Sequence, residues 1–411
     1  MKTILHICDW YRAIGGAEKL LFDTLEGLER QGYENVVVYN DHPDQKKLTM
    51  ERPAYPCVGL EFFVYYQVIH QKLARDSFRR VAEVIRKHSP DVCHIHNLQN
   101  PYLTEFLIKS LPCVRSVHDP RLYCFTQWKL LPDRSICRYP IGSACIKNGC
   151  LTKGIFPKTA FDFNAAHVLH LYEIHKRMPV IIAESRAQIE VLVASGFHQD
   201  QIAWLPNFTP LWSQEDTEDF IDKHYDTQKP PVILFVGRAS YEKGAQVLIE
   251  ACRYIKSSCQ IVLITAGPML EQLKSQADEF GEKVKIINGL PYDATREWYA
   301  KAEVIVVPSV WLENFCLVGL EAYANMKPVI GSQIGGIKDW LKDGETGWFF
   351  PHGDAKALAL KIDDALSDPQ RLRKMGLAAY ERARSYYNFE LYLSRLKDIY
   401  RKSILRFGAM N

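Results

Sequence analysis

Short apolar runs, many rich in β-branched side chains, alternate along the chain with longer stretches whose apolar positions recur every three or four residues. The short runs predict buried strands and the longer stretches amphipathic helices. In the first half the strands fall at TILHIC, NVVVYN, VCHIHN, CVRSVH, PVIIAE and QIAWLP. In the second they fall at VILFVG, QIVLITA, KVKIING, EVIVVP and PVIGS. Strands alternating with helices from end to end predict parallel sheets with crossover helices, the α/β class. The polar, proline-bounded stretch PNFTPLWSQEDTEDFIDKHYDTQKPP separates the halves and reads as a linker over 209–230. Two similar doubly wound units follow, at 1–208 and 231–385, and ligands should bind at the carboxyl ends of their strands. The last segment, 386–411, predicts a helix with an apolar stripe (Tyr387, Leu391, Leu393, Leu396) and a basic one (Arg395, Lys397, Arg401, Lys402, Arg406). A membrane-surface role is one reading of that basic stripe.

Composition narrows the class without naming a function. The chain has 411 residues, 47% of them apolar and 24% charged, as expected of a globular protein with two ordinary domains. No apolar run reaches the ~18 residues that span a bilayer. The opening MKTILHICDW passes straight into polar residues, unlike a signal peptide, so the cytoplasm is the expected compartment. A net charge of +3 gives no reason to expect a nucleic-acid partner.

Candidate chemistry concentrates in the second half. Arg238 leaves the end of VILFVG, just after Gly237, and Lys243 opens the next helix. A helix N-terminus already favours anions, and two added cations suit a diphosphate. Glu313 lies in the loop after EVIVVPS and Glu321 inside the helix that follows. The peptide N–H groups of Phe315, Cys316 and Leu317 should face the same ligand as Glu313, with Gly319 keeping the surface between the carboxylates small. Cations for phosphates and carboxylates for hydroxyls are together what a nucleotide sugar asks for.

FVGRASYEKG, the turn AGP at Ala266 to Pro268, PSVWLENFCLVGLEA and KPVIGSQIGGIKDWLKDGETGWFF resemble family 4 of the retaining GT-B glycosyltransferases, across nearly the whole second half. One departure is Cys316, where many members have glycine. The resemblance implies two Rossmann-like domains facing across a cleft, with the last helix crossing back to the first domain. It implies transfer of a hexose-type sugar from a nucleotide diphosphate to an acceptor hydroxyl with retention, independent of a metal or other cofactor. Polysaccharide, lipopolysaccharide or glycolipid synthesis is the expected setting, with a sugar, glycolipid or lipid-linked acceptor met in the cytoplasm or at the inner face of the membrane. Arg238 and Lys243 would stabilise the leaving diphosphate, Glu313 would hold the sugar hydroxyls and Glu321 the ribose. Asn314, Phe315, Cys316 and Leu317 would line the donor site, with backbone contacts to the base from Gly267 and Leu290. A non-catalytic nucleotide-sugar-binding scaffold, or a synthase or phosphorylase acting on free sugars, are the rival readings.

The first half would contribute the GGAE turn, where Gly15 and Gly16 let the backbone approach donor and acceptor. The resemblance gives His118 a role beside the sugar or acceptor, with Asn97, Asp119 and Arg121 on the acceptor side. His94 and His96 look like a metal pair, but no third ligand is evident in the sequence and a structural role is the simpler reading. The loop 120–158 carries Cys124, Cys137, Cys145 and Cys150, with six cations and one acid between Arg121 and Pro157. It reads as a lid or platform for an anionic acceptor. Its cysteine spacing fits a structural Zn²⁺, disulfides or reduced thiols. The other cysteines are scattered singly and read as small buried hydrophobes.

Overall fold

The computed structural model of the protein describes residues 1–9, 11, 16–40, 57–60, 71–126, 128–150 and 165–410. Gly15 and the loop beyond residue 150 therefore lie outside the described residues.

The chain divides into two compact units, Met1–Pro206 with Tyr392–Asn411, and Asn207–Leu391. The first is built on seven strands: β1 Thr3–Cys8, β2 Glu34–Asn40, β3 Cys57–Leu60, β4 Val92–Ile95, β5 Cys113–Ser116, β6 Val180–Ala183 and β7 Ile202–Trp204. They pair in parallel in the order β3-β2-β1-β4-β5-β6-β7. The second has six: β8 Val232–Arg238, β9 Gln260–Ala266, β10 Val284–Asn288, β11 Ala302–Val307, β12 Val329–Ser332 and β13 Gly347–Phe350. Their order is β10-β9-β8-β11-β12-β13, again parallel. Each sheet reverses its winding beside its first strand, between β1 and β4 and between β8 and β11. Ligands of doubly wound sheets bind outside the strand ends at that switch point.

Both sheets are covered on their faces, so their strands are apolar almost throughout. Leu5, Ile7, Val36, Val38, Cys93 and Ile95 join helix residues Leu103 and Leu107 in the first core. Ile233, Ile261, Leu263, Val304 and Val306 join Leu248, Leu358 and Ile362 in the second.

β3 and β13 were not among the expected strands. β13 is the four residues GWFF, and it opens on Gly347, where an added Cβ would lie 1.9 Å from Val329 O. A glycine demanded by close backbone approach looks, in sequence, like another turn.

The stretch expected as a linker is partly helical and belongs to the second unit. Helix Gln214–His224 begins at Ser213, whose hydroxyl accepts from Asp216 N. Acids fill its first turn and Lys223 and His224 its last, which suits the helix dipole. Arg296 lies over the rings of Trp212 and Phe220, at 3.5 and 4.0 Å from their centroids. The polar composition that suggested a linker is this helix's outer face.

The last helix, Phe389–Met410, buries Leu393, Leu396 and Tyr400, and from Tyr392 onward it belongs to the first unit. Its basic stripe is engaged there. Lys397 bonds Gln31, Lys402 and Arg406 reach the Asp200 carbonyl, and Arg395 covers the Trp204 ring. Arg401 pairs with Asp398 on the same helix.

Candidate functional site

Arg238, Lys243 and Glu313 come together where β8 and β11 end. Gly244 makes this possible: its φ is 75°, and a Cβ there would lie 1.8 Å from Pro308 O, so the turn after β8 presses directly on the turn after β11. Lys243 Nζ then lies 2.7 Å from Glu313 Oε1. Ser309 Oγ donates to the same oxygen at 2.7 Å, and the ammonium lies 5.3 Å from the Trp311 ring centroid.

Glu313 is 4% exposed. Burial alone would push its carboxyl up, but the Lys243 charge and hydrogen bonds from Lys243, Ser309 and Trp311 outweigh it and hold the pKa below the usual range. Burial likewise works against the Lys243 ammonium, and Glu313 more than offsets it, so that pKa is raised. Both groups are charged at neutral pH. Arg238 differs: its side chain is 59% exposed, and one guanidinium nitrogen lies 3.3 Å from buried Glu242, which Ser240 also bonds. Glu242 and Ser240 were not recognised as site residues, though their positions inside the R-x4-K spacing placed them beside it.

The Glu313 loop is moulded against two glycines. A Cβ on Gly335 would lie 2.5 Å from Glu313 O, and one on Gly336 2.1 Å from Asn314 O. Gly336 N donates to Glu313 O at 2.7 Å. Asn314 is buried, and its amide Nδ2 has no partner among the described residues. A polar group so placed is available to a ligand. Phe315 is also buried, its ring packed against Tyr387, so only its backbone can meet a ligand.

Cys316 precedes helix Leu317–Ala324 and carries φ 75°, a conformation that costs any residue but glycine. Burial, and next the Glu313 charge, push its thiol up to about 12. It is a neutral thiol and a poor nucleophile. The first amides of the helix, beginning at Leu317, have no intrahelical acceptor. Glu321 lies on this helix, half-buried, and Tyr299 donates to its Oε2 at 2.9 Å. Gly319 does not serve the surface between the carboxylates as expected. An added Cβ would lie 2.2 Å from the Trp340 ring, and Trp340 Nε1 donates to Phe315 O at 2.6 Å. The glycine admits the tryptophan that pins the loop.

Gly237 is half-buried just before Arg238 at the end of β8, and Gly267 follows β9 with φ 144°. Its missing side chain leaves room for Ala239, whose carbonyl an added Cβ would approach to 2.9 Å. Leu290 follows β10 and is half-buried. The turns after β8, β9, β10 and β11 thus stand along one edge of the second sheet.

In the first unit, Gly16 opens helix Gly16–Arg30 and is exposed. Asn97 follows β4 and is buried. His118 follows β5, and its Nδ1 lies 2.6 Å from Glu184 Oε1, a residue placed by the end of β6. Nε2 has no partner among the described residues. Glu184 was missed in the sequence, since PVIIAE reads as a strand end with no motif. Gln188 fixes both partners: its Oε1 accepts from Glu184 N, and its Nε2 donates to Val117 O. Asp119 and Arg121 are tied to each other, with Arg121 N and Nε donating to the carboxylate at 2.9 and 2.8 Å.

His94 and His96 acquire the third imidazole that the sequence did not show. His6, on β1, lies opposite His94 in the parallel ladder, and ligand atoms of the three lie within 4.8 Å of one another. Their partners are nonetheless largely accounted for. Asn35 Nδ2 donates to Leu25 O, so its Oδ1 accepts from His6 Nε2 at 3.3 Å. His6 Nδ1 must then accept from His96 Nε2, also at 3.3 Å. His94 meets Tyr400 and Ser116, both at 2.8 Å. Burial pushes His6 down to about 3 and lowers the other two, so all three are neutral and form a hydrogen-bonded seam within the sheet face.

Comparison with known proteins agrees with both units. Residues 14–211 match the family model Glycosyltransferase Family 4, and residues 216–382 match Glycosyl transferases group 1. The alpha-maltose-1-phosphate synthase of Mycolicibacterium smegmatis is 30% identical over 42% of this chain and 48% of its own. The amylovoran biosynthesis glycosyltransferase AmsK of Erwinia amylovora is 28% identical over 56% of this chain and 60% of its own. The chain spans about half the length of the sequence relatives it matches. In fold it resembles sucrose-phosphate synthase from Thermosynechococcus elongatus, with TM-score 0.72 and 18% identity over 98% of this chain and 99% of that one. Anabaena HepE, solved with UDP and glucose, gives TM-score 0.71 and 19% identity over 97% of this chain and 99% of that one. Both units thus have the parallel-sheet architecture of GT-B proteins.

Proposed function

The chain belongs to the GT-B glycosyltransferases that join a Family 4 domain to a group 1 domain, and we propose that it moves a sugar from a nucleoside diphosphate onto an acceptor hydroxyl with retention at the anomeric carbon. The observation that carries this reading is the Arg238, Lys243 and Glu313 constellation at the β8/β11 switch point. Arg238 is exposed and can turn its planar guanidinium to phosphate oxygens. Lys243 stands beside it, and the amides opening helix Leu317–Ala324 add partial positive charge. Such fixed charges stabilise the negative charge that builds on a leaving diphosphate without a metal ion.

The remaining donor contacts divide by chemistry. Glu321 accepts from ribose hydroxyls, and Glu313 and the amide of Asn314 orient the sugar. Glu313 is already held by an ion pair, and the Cys316 thiol stays protonated. Neither suits attack on the anomeric carbon, which supports front-face displacement, with the departing diphosphate taking the acceptor proton. His118, held by Glu184, assists the acceptor side through Nε2. The relatives' names point to a polysaccharide or glycolipid acceptor. No helix among the described residues is long and apolar enough to cross a membrane, and the reading places the enzyme in the cytoplasm with a sugar or lipid-linked acceptor.

Donor turnover followed by proton NMR tests this. An axial anomeric product from an axial donor, formed equally with and without EDTA, is expected. An inverted product, or turnover that requires added metal, would contradict the reading.

A further inference from the structure

We propose that His96 Nδ1 and His118 Nε2 form a clamp of two hydrogen-bond acceptors that holds a pair of neighbouring hydroxyls on the acceptor, taking from the reading above only that the acceptor is a sugar.

His96 follows β4 and His118 follows β5, strands that pair in parallel. Both imidazoles are buried, at 5% and 6% exposure. Their planes differ by 3°, with centroids 6.0 Å apart. At that separation the rings do not bond each other. Each keeps one nitrogen, His96 Nδ1 and His118 Nε2, with no partner among the described residues. Buried polar atoms are nearly always paired, so two orphans on neighbouring rings at the strand ends of one sheet point to a ligand.

The hydrogens decide what kind of ligand. Asn35 Nδ2 donates to Leu25 O at 2.9 Å, so Asn35 Oδ1 accepts from His6 Nε2, and His6 Nδ1 accepts from His96 Nε2. His96 therefore carries its hydrogen on Nε2 and a lone pair on Nδ1. Burial, and next the charges of neighbouring imidazoles, keep that ring neutral. On His118, Nδ1 donates to Glu184 Oε1 at 2.6 Å, and Gln188 fixes Glu184 in turn. In the neutral ring the lone pair is then on Nε2. Both orphans are acceptors.

Neither ring is at liberty to turn. His96 N donates to Ile7 O at 2.8 Å, and its ring stacks on His94 with centroids 4.0 Å apart. Glu184 and Gln188 do the same for His118, since Gln188 Nε2 also donates to Val117 O at 2.6 Å.

A ligand that satisfies both nitrogens must donate twice. Phosphate, carboxylate and carbonyl oxygens have no hydrogen to give. A protonated amine could donate twice, but buried Arg115, which donates to Leu98 O, lies near enough to oppose a second cation. Vicinal hydroxyls of a pyranose give one hydrogen to each nitrogen without adding charge. The reacting hydroxyl is a third group, because its proton leaves with the diphosphate. His96 and His118 thus orient the acceptor and do not deprotonate it.

The test is an NMR titration of the full chain carrying nitrogen-15 histidine, at about pH 8, where an ordinary imidazole is neutral. The free protein should show the hydrogen on Nε2 of His96 and on Nδ1 of His118, with the signals assigned through His96→Gln and His118→Asn variants. Methyl glycosides of glucose, galactose and mannose are then added, with cyclohexanol as the single-hydroxyl control. At least one glycoside should shift His96 Nδ1 and His118 Nε2 together and saturably, and cyclohexanol should not shift both. His96→Gln, whose amide can still donate to His6, should bind that glycoside about tenfold more weakly, the loss of one hydrogen bond. Binding of UDP, GDP and ADP, followed separately, reports on the donor reading, so the two can fail independently. The opposite tautomer on either ring, glycosides that shift one nitrogen alone or neither, or cyclohexanol shifting both would overturn the proposal.

Discussion

Lys243 and Glu313, seventy positions apart, form one ion pair at 2.7 Å, with the carboxylate buried and the ammonium half-buried. Their sequence context suggests separate tasks, a cation for phosphate and a carboxylate for sugar. The structure makes each the condition of the other, because a carboxylate buried as deeply as Glu313 needs a positive partner.

Removing one partner should therefore cost stability as well as activity. Lys243→Ala is expected to lower unfolding free energy by about 3 kcal/mol, since it strands a buried charge. Glu313→Gln, which keeps an acceptor for Ser309, should cost less than half of that. Urea midpoints compare the two, and equal losses would show that the pair is not coupled as described.

The pair also sets a pH window. The Glu313 pKa is lowered in the fold, so its stabilisation is present above the ordinary carboxyl value of 4.5 and is lost as pH falls through the depressed value. Lys243 is raised, so its share is present below 10.5 and is lost only at higher pH. The stability difference between wild type and the Lys243→Met, Glu313→Leu double variant should be flat between these limits. A slope near neutrality would contradict the assignment.

The imidazole seam gives a different acid limit. His6 and His175 are pushed down to about 3, and His94 and His96 also lie well below 6.5, with burial the leading cause in each. The unfolded chain binds these protons first, so stability should fall as pH drops from 6.5 toward 3. One unit below 6.5, each such group costs about 1 kcal/mol. Unfolding free energies from denaturant titrations at pH 7.5 and 5.5 should differ by several kcal/mol, and a His6→Gln variant should show a shallower dependence. Identical slopes would place the acid response elsewhere.

Substitutions at Cys316 and Gly319 test the packing beside the Glu313 loop. Cys316→Gly relieves a φ of 75° and should stabilise by about 0.5 kcal/mol after the entropy cost of glycine, whereas Cys316→Val should destabilise. Gly319→Ala improves helix propensity but drives a Cβ to 2.2 Å from the Trp340 ring. A net loss of about 2 kcal/mol is expected by calorimetry; a stabilised Gly319→Ala would show that Trp340 moves aside freely.

The sheets were largely legible because buried parallel strands are continuous apolar runs, and QIVLITA matches β9 residue for residue. GWFF was not, since four residues beginning with a close-packed glycine carry no period. At the site, Arg238, Lys243, Glu313 and Glu321 were visible through spacing and resemblance. Among the partners, Tyr299 and, for His118, Glu184 were not, because contact between segments distant in sequence selects them; Glu242 and Ser309 lie four positions from Arg238 and Glu313 but carry no motif of their own. His6 shows the same limit: its neighbour His94 is distant in sequence and opposite it in the ladder. Gly319 was legible as a small residue, but its reason lies in Trp340, twenty-one positions away.

The central claim, that these strand ends stabilise a leaving diphosphate, is most directly tested by donor turnover in Arg238→Ala. Arg238 is exposed but lies 3.3 Å from buried Glu242, which Ser240 also bonds, so the variant should stay folded with a modestly lowered thermal midpoint. Its kcat should fall by roughly 100- to 1,000-fold, the loss typical of removing one group that stabilises transition-state charge. Retention of most wild-type turnover by a fully folded Arg238→Ala enzyme would contradict the account.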